Sequence, residues 1–172
     1  MKVEMKKTNL SDYNPHEVPD GSPYSIGIVA AQWNNEITDA MLQGAQQTLT
    51  EHGVQPGNLL VCRVPGTFEL PSAAQTMLRR QRLDAVICIG CVIQGETRHF
   101  DFICEAVSNG ITRVSLDEGK PVIFSVLTTQ NMEQARERAG GKHGNKGVEG
   151  AVSALQMCAL QKRLEGLRTA DH

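Results

Sequence analysis

The 172-residue chain reads as one α/β domain, a three-layer α/β/α sandwich built on a four-stranded parallel sheet. Three observations predict it. Four short runs, "SIGIVAA", "NLLVCRV", "LDAVICIG" and "PVIFSVL", are almost wholly apolar, as strands covered on both faces are. Segments with helical spacing of apolar residues separate them, and a helix is what a parallel crossover needs. Gly, Pro or Asn, where a chain turns, stands at the end of each run or within four residues after it.

Taken in order, residues 1–24 form a polar, turn-rich N-terminal tail that orders only where something holds it, with a short extended piece expected near "HEV". The domain covers residues 25–168. After the first strand and "QWNN", Ile37, Ala40, Met41, Ala45 and Leu49 fall on one helical face, and Gly53 supplies the C-terminal turn. The second strand leaves through "PGTFELP" into the helix "SAAQTMLRRQ", which leads to the third strand. A long helix follows, with Phe102, Ile103, Ala106, Val107, Ile111 and Val114 assigned to its apolar face. The fourth strand leads to a capped helix in "TTQNMEQARERAGG", closed by two glycines, and "VEGAVSALQMCALQKRL" is a final amphipathic helix.

Bulk properties exclude several classes. The formal charge is −2, from 17 basic and 19 acidic residues, and the only basic stretch, "MKVEMKK", is short, so no nucleic-acid partner is expected. No window approaches the ~20 apolar residues that span a bilayer, and no apolar stretch follows the first lysines. A soluble cytoplasmic protein is the simplest expectation. Five cysteines in a chain of this size do not suggest a disulfide framework. Cys88 and Cys91 form a C-x-x-C, yet on one strand they point to opposite faces ~10 Å apart, beyond disulfide reach. No second cysteine pair completes a zinc site.

Parallel sheets bind ligands beyond the carboxyl ends of their strands, which directs attention to the exits "AAQWNN", "VPGTFELP", "GCVIQGETRHF" and "FSVLTTQN". Glu96, Thr97 and His99 stand where a helix begins, and free N–H groups there favour an anion. Thr97 also fits a plain N-cap. His99 alone of five histidines lies within a turn of a strand exit, and imidazole is the side chain that exchanges protons near neutral pH. Phe68 and Glu69 lie between two prolines and could grip a flat heterocycle bearing N–H donors; the alternative puts Phe68 in the core and Glu69 in a first helical turn. Trp33, beside Asn34, and Phe124 add further aromatic faces near the exits. "ERAGGKHGNKG" carries Arg138 and Lys146 through a glycine-rich connection suited either to phosphate or to an ordinary flexible linker. Neither a Walker ending nor a GxGxxG signature occurs. The residues thus describe a pocket for a planar polar ring and a phosphate, without naming a reaction.

The ordered set "WNN", "VPGTFELP", "GCVIQGETRHF", "PVIFSVLTT", "EQARERAG" and "GNKGVEGAVSAL" resembles the lumazine synthase family, in register from about Ile26 to Leu160. That resemblance implies a flavodoxin-like sheet and a transferase of riboflavin biosynthesis. The reaction joins 5-amino-6-(D-ribitylamino)uracil to 3,4-dihydroxy-2-butanone 4-phosphate, with release of phosphate and water and with no metal or redox cofactor. Position by position, it implies that Trp33 stacks on the ring with Asn34 beside it. Thr67, Phe68 and Glu69 contact the pyrimidine and ribityl chain, and Cys91, Val92 and Ile93 line the same site. Glu96 and Thr97 hold the phosphate-bearing substrate, and His99 is the proton donor. Phe124, Arg138 and Lys146 come from the adjacent subunit of a homopentamer, with Arg138 on the phosphate.

Decamers, icosahedral 60-mers and an association with riboflavin synthase stay open, as does an N-terminal strand added to a neighbouring subunit. Trp33 stands where many members have phenylalanine, Gln94 where many have arginine and Ser125 where glycine is common. The larger indole leaves a second reading, a riboflavin-binding or storage paralogue with weak synthase activity. A flavodoxin-like mononucleotide binder would need a phosphate loop at "AAQWNNE", which has no glycine or hydroxyl there.

Overall fold

The nine residues "AVICIGCVI", uninterrupted by any polar side chain, form the longest strand of the sheet, β3 (Ala85–Ile93). The structure, a computed structural model, describes residues 9–168. β1 (Ile26–Ala31), β2 (Leu59–Val64) and β4 (Val122–Thr129) join β3 in one parallel sheet of order β2-β1-β3-β4. The two central strands are the most buried, as their unbroken apolar runs require. This is the three-layer sandwich that the sequence predicts.

The strand alternation sorts side chains into two cores. Ile26, Ile28, Ile87, Ile89 and Leu127 face α1 (Asn35–Glu51), α4 (Met132–Glu137) and α5 (Lys146–Arg168), meeting Met41, Leu49 and Leu155. Val29, Val86, Cys88, Val122 and Val126 face α2 (Leu70–Arg80) and α3 (His99–Glu118), meeting Leu70, Met77, Val107 and Ile111. Cys91 belongs to the first core and Cys88 to the second, so the C-x-x-C pair does point to opposite faces. No helix among the described residues is long and apolar enough to cross a membrane.

Three local expectations need correction. On α3 the buried stripe is Val107, Ile111 and Val114 with half-buried Ile103, whereas Phe102 is 62% exposed and Ala106 is exposed too. At about 100° per residue, 102 and 106 lie one step round from the stripe, and Arg98 covers the Phe102 ring at 5.5 Å instead. The extended piece expected near "HEV" is a 3₁₀ turn at Pro15–Glu17, set by the proline and by the Asn14 side chain accepting the His16 N–H at 3.1 Å. The "AGGKHGN" connection is neither a helix closure nor a loose linker. It folds into an antiparallel hairpin, β5 (Ala139–Gly141) and β6 (Gly144–Asn145), fastened to α1 by the Asn145 amide donating to the Ala40 carbonyl at 3.1 Å.

The tail is held from residue 9 onward. The Gly21 N–H donates to the His52 carbonyl at 2.6 Å, Tyr13 and His52 share a hydrogen bond at 3.1 Å, and Tyr24 is buried. Residues 9–24 contain no strand, and residues 1–8 lie outside the described part of the expected strand exchange.

Candidate active site

At the carboxyl ends of β1, β2 and β3 the exits converge on an open depression of about 170 Å³, lined by Trp33, Asn34, Thr67, Phe68, Cys91, Val92, Ile93, His99 and Ile103. The β1–β2 ladder runs on past the strands, with the Gln32 N–H on the Val64 carbonyl at 2.8 Å and the Trp33 N–H on the Pro65 carbonyl at 3.0 Å. That places Trp33 directly against the second exit. A Cβ built on Gly66 would stand 2.5 Å from the indole, so only glycine lets the ring lie there, 67% exposed to whatever enters.

Asn34 takes the left-handed conformation, φ 58° and ψ 45°, the only described residue other than glycine to do so. Such a backbone is uncommon outside glycine, though asparagine tolerates it best. Its side-chain amide donates to the Cys91 carbonyl at 3.0 Å, tying the β1 exit to the β3 exit. Next to it, the buried Thr38 hydroxyl donates to the Ala31 carbonyl at 2.7 Å and anchors the start of α1.

"GTFE" forms a 3₁₀ turn, Thr67–Glu69, running straight into α2. Glu69 Oε2 accepts the Gly66 N–H at 3.0 Å, so the helical-turn alternative describes its backbone correctly. Phe68, by contrast, is 57% exposed and not a core residue. Thr67 is buried, packed where Gly90 leaves room for it. Two prolines and this cap leave a stiff loop that presents one aromatic face and one carboxylate.

His99 opens the 20-residue α3. The cap residue is Arg98, whose side chain makes no capping bond, and Thr97 Oγ1 accepts only a long contact from the His99 N–H, 3.4 Å. Thr97 is therefore a weak N-cap, and Glu96, Thr97 and His99 all stay exposed at the positive end of the helix. Burial pushes the Cys91 thiol up to about 11, so it lines the depression as a neutral apolar group rather than a nucleophile.

Phe124, Arg138 and Lys146 are absent from this depression. Phe124 lies on the edge strand β4, paired in register with Cys88, and is 37% exposed. Arg138 caps α4, and Lys146 starts α5. Arg138 Nη2 meets Glu149 Oε2 at 3.0 Å and Oε1 at 3.3 Å, while Nη1 donates to the His143 carbonyl at 2.8 Å. Lys146 Nζ approaches Glu149 Oε1 at 3.6 Å. Ser125, buried in β4, donates to the Lys146 carbonyl at 2.6 Å, which gives that unusual serine a structural task at the start of α5. Gln94 is exposed, and its backbone N–H donates to the Thr129 carbonyl at 2.8 Å.

Sequence reasoning passed over Ile103, Gly66 and Glu149. Ile103 follows His99 by one helical turn and Glu149 follows Lys146 by three residues, spacings that pair side chains on a helix. Gly66 carries no signal until the indole's position is known. Among the described residues, no three His, Cys, Asp or Glu side chains converge as metal ligands would.

A sequence profile of the 6,7-dimethyl-8-ribityllumazine synthase family matches residues 23–162. The chain is 58% identical over 151 residues to the 6,7-dimethyl-8-ribityllumazine synthase of Cytophaga hutchinsonii, covering 88% of this chain and 94% of that one. It is 54% identical over 154 residues to the enzyme of the same name from Porphyromonas gingivalis, covering 90% and 96%. To that from Parabacteroides distasonis it is 51% identical over 149 residues, covering 87% and 93%.

Proposed function

The chain belongs to the 6,7-dimethyl-8-ribityllumazine synthase family, and on that premise we propose that it condenses 5-amino-6-(D-ribitylamino)uracil with 3,4-dihydroxy-2-butanone 4-phosphate in the cytoplasm. The observation that carries the reading is the convergence of Trp33, Phe68 and His99 on one depression, beside the cap-poor start of α3. A flat pyrimidine stacks on the indole and the Phe68 ring. Glu69 has one oxygen engaged by Gly66 and offers the other to a ring N–H. Cys91, Val92 and Ile93 close the apolar floor. Glu96 and Thr97 meet the phosphate ester at the helix start, where backbone N–H groups favour an anion.

The ring 5-amino group attacks the ketone and forms an imine with loss of one water, His99 moving the protons. Elimination then breaks the C–O bond to phosphate, whose developing charge Arg138, Lys146 and the α3 terminus stabilise. The resulting enol tautomerises to a ketone. The ribitylamino nitrogen attacks that carbonyl, and loss of a second water closes the ring. Holding two reactants together supplies much of the rate.

One chain carries the ring-binding residues at the exits of β1–β3, whereas Arg138 and Lys146 flank the β5–β6 hairpin, which is fastened to α1, and neither cation lines the depression. This separation supports a homopentamer in which Phe124, Arg138 and Lys146 of one subunit complete the depression of its neighbour. Mixing the purified protein with both substrates and following lumazine fluorescence tests the activity. A yellow, flavin-loaded protein that forms no lumazine would overturn it in favour of flavin storage.

A further inference from the structure

The Arg138 cluster is not built from the hairpin and α5 alone. Ser11, 138 residues away in sequence, places its hydroxyl 2.8 Å from Glu149 Oε2, the oxygen that also receives Arg138 Nη2 at 3.0 Å. The same hydroxyl oxygen accepts the Asn145 N–H at 2.7 Å and lies 2.9 Å from the Asn145 carbonyl. A hydroxyl has one proton, and the carboxylate is the stronger acceptor, so Ser11 spends it on Glu149. Leu10 adds a second tie: its N–H donates at 3.1 Å to the His143 carbonyl, the acceptor of Arg138 Nη1.

The seat for this segment is specific. Gly144 has φ 97°, and a Cβ there would stand 2.4 Å from Ser11 Oγ and 2.5 Å from Asn9 Oδ1. Asn9 in turn accepts the Ser11 N–H at 2.9 Å and shapes the turn that delivers the hydroxyl. Only a glycine at 144 both adopts the backbone and admits residues 9–11.

We propose that Ser11 and Glu149 are positioning residues: the docked N-terminal segment fixes the Glu149 carboxylate, which with the His143 carbonyl fixes the guanidinium of Arg138. The guanidinium has five N–H donors, and these two partners leave others to meet a phosphate ester. A neighbouring carboxylate weakens the pull on an anion, so the gain lies in orientation, which removes the cost of ordering a long side chain on binding. The inference rests on the reading that Arg138 binds the phosphate-bearing substrate.

Steady-state kinetics on the assembled enzyme test it. Ser11→Ala raises KM for the butanone phosphate roughly three- to tenfold, leaving KM for the pyrimidine and kcat at saturation unchanged. Ser11→Thr restores the wild-type KM. Ser11 lies outside both core clusters, so the alanine variant folds. In an Arg138→Ala background, adding Ser11→Ala changes nothing further. An unchanged KM in Ser11→Ala, or an equal rise in both backgrounds, overturns the positioning role. A wild-type KM in Arg138→Ala alone instead overturns the assignment of Arg138 itself.

Discussion

The Trp33 side of the domain stands at the strand exits and the Arg138 side against α1 and the middle of β4, and the two hold their side chains by different means. Around Trp33 the backbone does the holding: ladder bonds continue past β1, the indole packs on Gly66, and Asn34 reaches the Cys91 carbonyl. Around Arg138 the side chains hold one another, through Glu149, Lys146 and Ser11, beside a hairpin of five strand residues. A flat ring needs a stiff apolar slot. A phosphate ester needs cations aimed at it, and ion pairs aim them while keeping them partly solvated.

If the two sides serve one site between subunits, they should fail separately and complement each other. His99→Ala is expected to have the largest effect, roughly a 100-fold fall in kcat with substrate binding retained, because proton relays contribute on that order. Stopped-flow turnover at saturating substrates checks it, and a wild-type kcat would remove His99 from the mechanism. Arg138→Ala should raise KM for the phosphate substrate by roughly 30-fold, the cost of a lost charge-assisted contact, leaving KM for the pyrimidine alone. At low concentrations of the phosphate substrate, mixed oligomers of His99→Ala and Arg138→Ala chains should then be more active than either variant alone, because some interfaces pair an intact His99 with an intact Arg138. Mixtures no more active than their parts would place both groups in one chain.

On the other side, Gly66→Ala should displace the indole and weaken pyrimidine binding about tenfold, read by titrating tryptophan fluorescence. Trp33→Phe should reverse most of that loss in the Gly66→Ala background, since a smaller ring clears the new methyl. The smallest effect concerns pH. Burial raises the Cys91 thiol to about 11 and Cys158 to about 12, from an ordinary 9.0. Above about pH 9 the unfolded chain therefore loses thiol protons that the folded chain keeps, so stability falls as pH rises through that window, while below it the thiols contribute no pH dependence. Thermal unfolding at pH 8 and pH 10 measures the fall, and a double Cys91→Ala, Cys158→Ala variant should show less of it.

How much could be read in advance follows the same division. "VPGTFELP" and "GCVIQGETRHF" announced the ring side, because each is contiguous and follows directly on a strand whose apolar run is unmistakable. The hairpin was less legible: "AGGKHGN" is compatible with a flexible linker until its glycines are seen at φ 112° and 97°. Phe102 misled because apolar spacing cannot tell which of two adjacent helical faces the sheet will cover. Nothing local distinguishes Ser11 from any other tail serine, since its partners lie 134 and 138 residues away.

The sequence by itself determined the strand and helix order, the two-sided burial of the central strands and the set of exit residues. Each depends on the periodicity of neighbouring side chains along the chain. Tertiary structure alone decided the left-handed turn of Asn34, the seat of the indole on Gly66, and the Ser11–Glu149–Arg138 chain. These depend on contacts between segments far apart in sequence, whose geometry exists only once the sheet has brought them together.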